Sequence, residues 1–291
     1  MPDQRKMKWG MLGLCAACLI GCMQNDEALF AATTCVQKAR QEQDSSSEIG
    51  QLPCQPVELR RLSGAKDVML GKPPMAADAK NTAIPAHPRL RKRVALTFDD
   101  GPDLKYTPQV LSVLKKERVP ATFFVVGRMV QKYPKVVRRM VREGHVVGNH
   151  SYSHRELTKL TMDQLDTEIK LTDALIYRAI HKKPLFFRPP FGVIDEKITA
   201  HLTKKGYKMI PWNVDTLDWQ EGSSSDDIVN KVKKDIEAGG IVLQHSFGGP
   251  QIENTVKALP RIIAYLRENG YEFVTIDQLY DIQAYSETGK P

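Results

Sequence analysis

Between Arg93 and Ile276 short runs of β-branched and aromatic residues alternate with amphipathic stretches, and this alternation constrains the fold more than any other feature. Strands are predicted over Val94–Phe98, Ala121–Val126, His145–Gly148, Leu185–Arg188, Tyr207–Val214, Gly240–Gln244 and Tyr271–Ile276. Helices are predicted over Thr107–Lys116, Pro134–Glu143, Asp195–Lys205, Asp226–Glu237 and Asn254–Glu268, with a kink or break at Pro260 in the last. Thr161 and Gln164 form a capping box opening a long helix, in which Leu165, Ile169, Thr172, Ile176 and Ala179 recur at helical spacing. About seven such units without an internal repeat predict an α/β fold, a parallel sheet with helical crossovers. A (β/α) barrel is preferred to an open sheet because it lets widely spaced strands face one pocket.

The first 92 residues read differently. Arg5, Lys6 and Lys8 precede an apolar run from Trp9 to Gly21, which fits a signal peptide and is short for a membrane span. The run ends Leu19-Ile20-Gly21-Cys22, which resembles the bacterial lipobox, where the cysteine is lipidated and becomes the first residue of the mature protein. Residues 1–21 are thus expected to be a lipoprotein signal peptide. Residues 22–92, polar, Ser-rich and then Pro-rich, are expected to be a tether with little fixed structure. A flexible tether of about 70 residues has an r.m.s. span of roughly 45–50 Å. The expected location is a bacterial membrane, with the body at 93–282 outside the cytoplasm and a tail at 283–291. All five cysteines lie in the first 54 residues; Cys35 and Cys54 would remain after processing as one possible pair. A cysteine-free body suits an oxidising compartment. The net charge of +8 is spread along the chain, which argues against a dedicated nucleic-acid surface. A monomer is expected.

Chemistry concentrates in a few strings at the C-terminal ends of predicted strands, where βα folds build sites. Asp99-Asp100-Gly101-Pro102 sets two carboxylates at a turn, one able to bind metal while the other stays free as a base. His150 and His154 are four apart, a spacing that brings both to one ion if the segment coils like a helical turn. No Glu follows His150, so any base comes from elsewhere. Arg188, before Pro189-Pro190, is placed to hold a carboxylate bidentately. Asp218, with Asp215 three residues earlier, is placed to fix a histidine's tautomer and raise its pKa. Trp219 offers an apolar wall or a sugar-stacking face, and His245 ends the run Ile241–Gln244. This is the inventory of a metal-assisted hydrolase.

In this order, Thr97–Pro102, His150–His154, Arg188–Gly192, Asp215–Trp219 and Leu243–His245 resemble the five motifs of the polysaccharide deacetylase family with the NodB-homology domain, carbohydrate esterase family 4. The resemblance covers about residues 93–282. It implies a distorted (β/α) barrel with an exposed groove, and a divalent metal, zinc or sometimes cobalt, held by Asp100, His150 and His154. It implies Asp99 as catalytic base, paired with Arg188, and His245 as catalytic acid, paired with Asp218. Pro190, Phe191, Trp219 and Leu243 are expected to bind substrate. The expected activity is N-deacetylation of cell-wall polysaccharide, peptidoglycan first, releasing acetate. Chitin oligosaccharides, poly-N-acetylglucosamine or acetylxylan are the alternative substrates, and an inactive glycan-binding lipoprotein is the second alternative. One position departs from many relatives: Ser246 stands where they carry Asp, and the groove is expected to differ in shape there.

Overall fold

The computed structural model describes residues 92–287. The predicted signal peptide, Cys22, the tether, Cys35 and Cys54 lie outside the described residues. Among the described residues there are eight strands and eight α-helices. They are β1 Arg93–Asp99, α1 Thr107–Glu117, β2 Thr122–Val125, α2 Gly127–Lys132, α3 Pro134–Arg142, β3 Val146–Asn149, α4 Met162–Ile180, β4 Phe186–Phe187, α5 Glu196–Lys204, β5 Lys208–Met209, β6 Val214–Asp215, α6 Ser225–Asp235, β7 Gly240–His245, α7 Ile252–Glu268, β8 Glu272–Phe273 and α8 Ile276–Tyr280. All ladders between these strands are parallel, in the order β5-β4-β3-β2-β1-β7-β6, with β8 also paired to β1.

Connectivity forces this sheet to curl. β5 and β6 lie at opposite ends of the order, yet only Ile210–Asn213 separates them in the chain. That link spans at most about 17 Å, whereas seven strands laid flat would set their outer members about 29 Å apart. The result is a curled parallel half-barrel with helices, consistent with the distorted (β/α) barrel expected. The predicted strand Tyr207–Val214 is therefore corrected to two short strands on opposite edges. Pro211, which cannot donate to a ladder, lies in the link. The Ile210 N–H still bonds the Phe187 carbonyl of β4, while the Asn213 N–H already bonds the Ile241 carbonyl of β7.

Period-two alternation sorts β1. Val94, Leu96 and Phe98 join the core between sheet and helices with Leu111, Leu114, Ile262 and Leu266, and Phe98 stacks on Phe123 with ring centroids 5.2 Å apart. Ala95 faces the inside of the curl, where Phe124, Phe186, Ile210 and Ile241 meet Ile276, Leu279 and Ala284 from the C-terminal segment. Burial of these faces in both layers drives the fold. Residues 283–286 continue on the body: the Ala284 carbonyl accepts from the Leu185 N–H, and the Tyr285 hydroxyl accepts from the Val147 N–H.

Helix ends follow local chemistry. The Thr161/Gln164 capping box opens α4, and Asp195 accepts the Ile198 N–H to cap α5. α7 departs from expectation: it runs unbroken through Pro260. Pro260 is on the exposed face, whereas Ala258, Leu259, Ile262 and Ile263 are buried against the sheet, so packing outweighs one lost backbone bond. Among the described residues no helix is long and apolar enough to cross a membrane.

Candidate active site at the mouth of the half-barrel

Asp99 ends β1 on its inner face and is 3% exposed. Arg188, which follows β4, is fully buried and reaches it: Nη1 donates to Asp99 Oδ1 and to Thr97 Oγ1, both at 2.8 Å. Its Nε donates to the Ile210 carbonyl and its Nη2 to the Pro211 carbonyl. The expected bidentate grip is thus corrected to a single bond, because the rest of the fork is taken by Thr97 and the Ile210–Asn213 link. Asp99 Oδ2 stays clear of Arg188 and lies 3.8 Å from His150 Nε2.

Asp100 adopts φ 72° at the turn that follows β1. Its Oδ1 lies 3.4 Å from His150 Nε2 and 3.2 Å from His154 Nε2, and makes no hydrogen bond although buried. Ligand atoms of Asp100, His150 and His154 all fall within 4.8 Å of one another. His150 Nδ1 sits 2.7 Å from the Arg188 carbonyl, which fixes the ring and leaves Nε2 facing Asp100. Burial works against the Asp100 charge, but the imidazoles outweigh it and hold this carboxyl well below the usual range. Burial likewise works against a charged His150, and Asp99 and Asp100 outweigh it and raise the pKa of this imidazole. An unpartnered carboxylate oxygen converging with two imidazole nitrogens is a donor set that fits a divalent cation.

The two histidines do not converge through a helical turn, as the spacing suggested. Ser151 and His154 are left-handed, at φ 62° and 58°, and the segment is a loop. His154 packs edge-on against Phe191, ring centroids 4.6 Å apart.

Across the mouth, His245 ends β7. Its Nδ1 lies 2.7 Å from Asp218 Oδ1, and its backbone N–H donates to Oδ2 at 2.8 Å. The Thr255 hydroxyl of α7 also donates to Oδ2. Burial would drive the His245 imidazole toward neutrality, but the fully buried Asp218 carboxylate outweighs it and pushes the pKa up to about 10. Asp215 does not touch His245; its Oδ1 accepts the Leu217 N–H and shapes the loop.

The four residues expected to bind substrate divide. Phe191 and Trp219 are 58% and 38% exposed, and they are two of only four large apolar side chains exposed among the described residues. Pro190 and Leu243 are buried. Ser246, where many relatives are expected to carry Asp, is also fully buried. Its Oγ stands where a Cβ on Gly101 would come within 2.5 Å, and its carbonyl accepts the Thr107 hydroxyl, so it packs under the Asp99–Gly101 turn. Sequence reasoning missed Asn149, Glu168 and Thr255. Asn149 is legible as the neighbour of His150; the other two reach the site from helices α4 and α7, outside any motif.

The profile described as Polysaccharide deacetylase matches residues 86–210. A peptidoglycan-N-acetylglucosamine deacetylase of Bacillus cereus is 42% identical over 193 residues, covering 66% of this chain and 70% of its own. The peptidoglycan-N-acetylmuramic acid deacetylase PdaA of Bacillus subtilis is 35% identical over 227 residues, covering 74% of this chain and 84% of its own. The crystal structure of the Bc1960 peptidoglycan N-acetylglucosamine deacetylase, in complex with 4-naphthalen-1-yl-N-oxidanyl-benzamide, superposes with a TM-score of 0.66 at 40% identity, over 67% of this chain and 91% of that one. With a family relative matched over this much of both chains, and with the motif residues gathered at one mouth of the half-barrel, the protein belongs to the polysaccharide deacetylase family.

Proposed function

We propose that this chain is a metal-dependent N-deacetylase of cell-wall peptidoglycan, releasing acetate and leaving a free amino sugar. One observation carries the reading: Asp99, the Asp100–His150–His154 cluster and the His245–Asp218 pair meet at a single mouth, each with the partner its role needs. The names of the relatives support peptidoglycan as the substrate. A divalent cation held by Asp100, His150 and His154, with Zn2+ favoured and Co2+ the alternative, would polarise the acetyl carbonyl and lower the pKa of water.

The chain's own groups supply the proton transfers. Asp99, held through Oδ1 by Arg188, keeps Oδ2 free to take the proton of the attacking water. The Gly192 and Val193 N–H groups are spent on the Pro189 and Pro190 carbonyls, which leaves the Phe191 N–H as the donor of that turn for the developing oxyanion. An amine leaves poorly unless protonated, and His245, kept charged by Asp218, donates that proton from Nε2. Phe191 and Trp219 present ring faces on which sugars stack. We further propose that Cys22 carries a lipid anchor and that the body works outside the cytoplasm on overlying glycan.

Acetate release across a glycan panel tests the substrate: intact peptidoglycan should be best. Preference for chitin oligosaccharides, poly-N-acetylglucosamine or acetylxylan would select the alternative, and no release from any would favour an inactive glycan-binding protein. Asp100→Ala should lose its metal on dialysis, whereas Asp99→Asn should retain it and lose roughly 10²–10⁴ in kcat. Elemental analysis beside kinetics separates the two, and stoichiometric metal in Asp100→Ala would refute the ligand assignment.

His245 titrates with a raised pKa, so its charge, and the stability it lends through Asp218, is complete below about pH 6.5 and is lost as pH rises through about 10. In Asp218→Asn burial is left unopposed by that carboxylate. NMR titration of the metal-free protein should find His245 deprotonating at lower pH, and the alkaline limb of kcat should move the same way. An unmoved limb would remove His245 from the acid role. Cys22→Ser should leave the membrane fraction or stall in processing while staying active on soluble oligosaccharides; full membrane retention with normal processing would exclude the lipid anchor.

A further inference from the structure

The loop carrying His154 belongs to no ladder; its Ser151 and Tyr152 carbonyls accept from the Gly127 and Arg128 N–H groups at the start of α2. The backbone N–H groups of four consecutive residues, Ser151 to His154, all end on side-chain oxygens. Asn149 Oδ1 accepts from Ser151 at 2.8 Å, and Ser151 Oγ accepts from His154 at 3.1 Å. The middle two end on one group outside the motif: Glu168 Oε2 accepts from Tyr152 at 2.9 Å and from Ser153 at 2.8 Å. Its Oε1 accepts the Ser153 hydroxyl at 2.6 Å. Glu168 is 8% exposed and stands on α4, which anchors the loop from the other side as well, since Asn149 Nδ2 donates to the Ile169 carbonyl and to Asp173.

We propose that Glu168 is a positioning residue for the metal site. It preforms the Tyr152–His154 turn against α4, so that the His154 imidazole stands beside Asp100 and His150 before a cation arrives. The proposal rests on the reading of His154 as a metal ligand. Glu168 contacts no ligating atom; it acts through the backbone. Without its acceptors two partly buried N–H groups lose their partners, and the loop is ordered only at the expense of binding. Loss of such an outer support typically weakens metal binding 10–100-fold. The role is acceptance of hydrogen bonds rather than charge. A glutamine at 168 can keep both N–H bonds with its carbonyl oxygen, while its amide donates to a reversed Ser153 hydroxyl.

The test is the Zn2+ affinity of the chelator-stripped full chain, read by competition with a chromophoric chelator, alongside the absorption band of the Co2+-loaded protein. E168A should bind Zn2+ about 10–100-fold more weakly, S153A should lie between it and wild type, and E168Q should stay close to wild type. At saturating Co2+ the E168A band should match wild type, because the ligands are unchanged. D166N, on the same helix outside this network, should bind as wild type does. A folded E168A with wild-type affinity would overturn the proposal; if E168A does not fold, unchanged affinity in S153A would do so. E168Q as weak as E168A would assign the effect to charge and equally overturn it. Wild type failing to bind either metal would strike at the ligand assignment itself, so the two failures are distinguishable.

Discussion

The buried pair of Arg188 and Asp99 is the interaction on which the mouth depends. A guanidinium withdrawn wholly from water is costly unless its donors are met. Here Nε, Nη1 and Nη2 find oxygens from β1 and from the Ile210–Asn213 link, and the plane lies over Phe124 at 4.1 Å and Trp212 at 5.5 Å. One side chain therefore binds the central strand to the segment that joins the two sheet edges. The same carbonyls that would otherwise extend β5 are turned inward to meet it. Removing one member of such a pair leaves the other as an uncompensated buried charge, at about 3–5 kcal/mol. The Arg188 backbone takes part too, since its carbonyl orients His150. Asp99 and the Asp100–His150–His154 cluster are thus registered to one another through a single residue.

Two adjacent carboxylates consequently behave differently. Asp99 is tied to a fixed cation and keeps one oxygen free; Asp100 meets only imidazoles and keeps one oxygen unpartnered. The difference arises in the backbone: Asp99 closes an extended strand, and Asp100 is the first left-handed residue after it. Gly101 follows, where a Cβ would come within 2.5 Å of the Ser246 Oγ and 3.1 Å of the Thr107 Oγ1 and would displace these hydroxyls. A third carboxylate, Asp218, is wholly buried and spent on His245 and Thr255. Three acids of similar intrinsic strength are thus set apart by where the backbone places them and by the partners they meet there.

The fold was legible where a local signal and a tertiary need coincide. β1, β7, the capped α4 and the order of the units follow from alternation, caps and glycine or proline stops. Tyr207–Val214 misled because its apolar run reads as one strand, whereas the break is imposed by Arg188 and by closure of the sheet, neither of which is local. Pro260 misled in the opposite sense: its local preference yields to the buried face of α7. At the site, the candidate groups were legible because the expected chemistry requires particular residue types. The supports were not: Glu168 and Thr255 act through one or two oxygens projected from helices, positions where many residues read the same. Ser246 was visible as a departure, but whether it faced the groove or the core depended on the packing of Gly101 and Thr107.

Backbone strain explains why the site is readable as short strings. Among the described residues nine non-glycine positions have positive φ. Arg118, His181 and Asp281 are C-caps of helices, where the left-handed conformation is ordinary. Five others, Asp100, Ser151, His154, Phe191 and Leu217, stand at the mouth within the motif segments. Each costs an L-residue roughly 1–2 kcal/mol, and most are offset by a side-chain acceptor close by: Asn149 for Ser151, Ser151 for His154 and Asp215 for Leu217. Reactive groups that must leave the ends of strands at unusual angles bring such compensating residues with them. A motif here is therefore a reacting side chain together with the local hydrogen bonds that hold its backbone out of the regular wells.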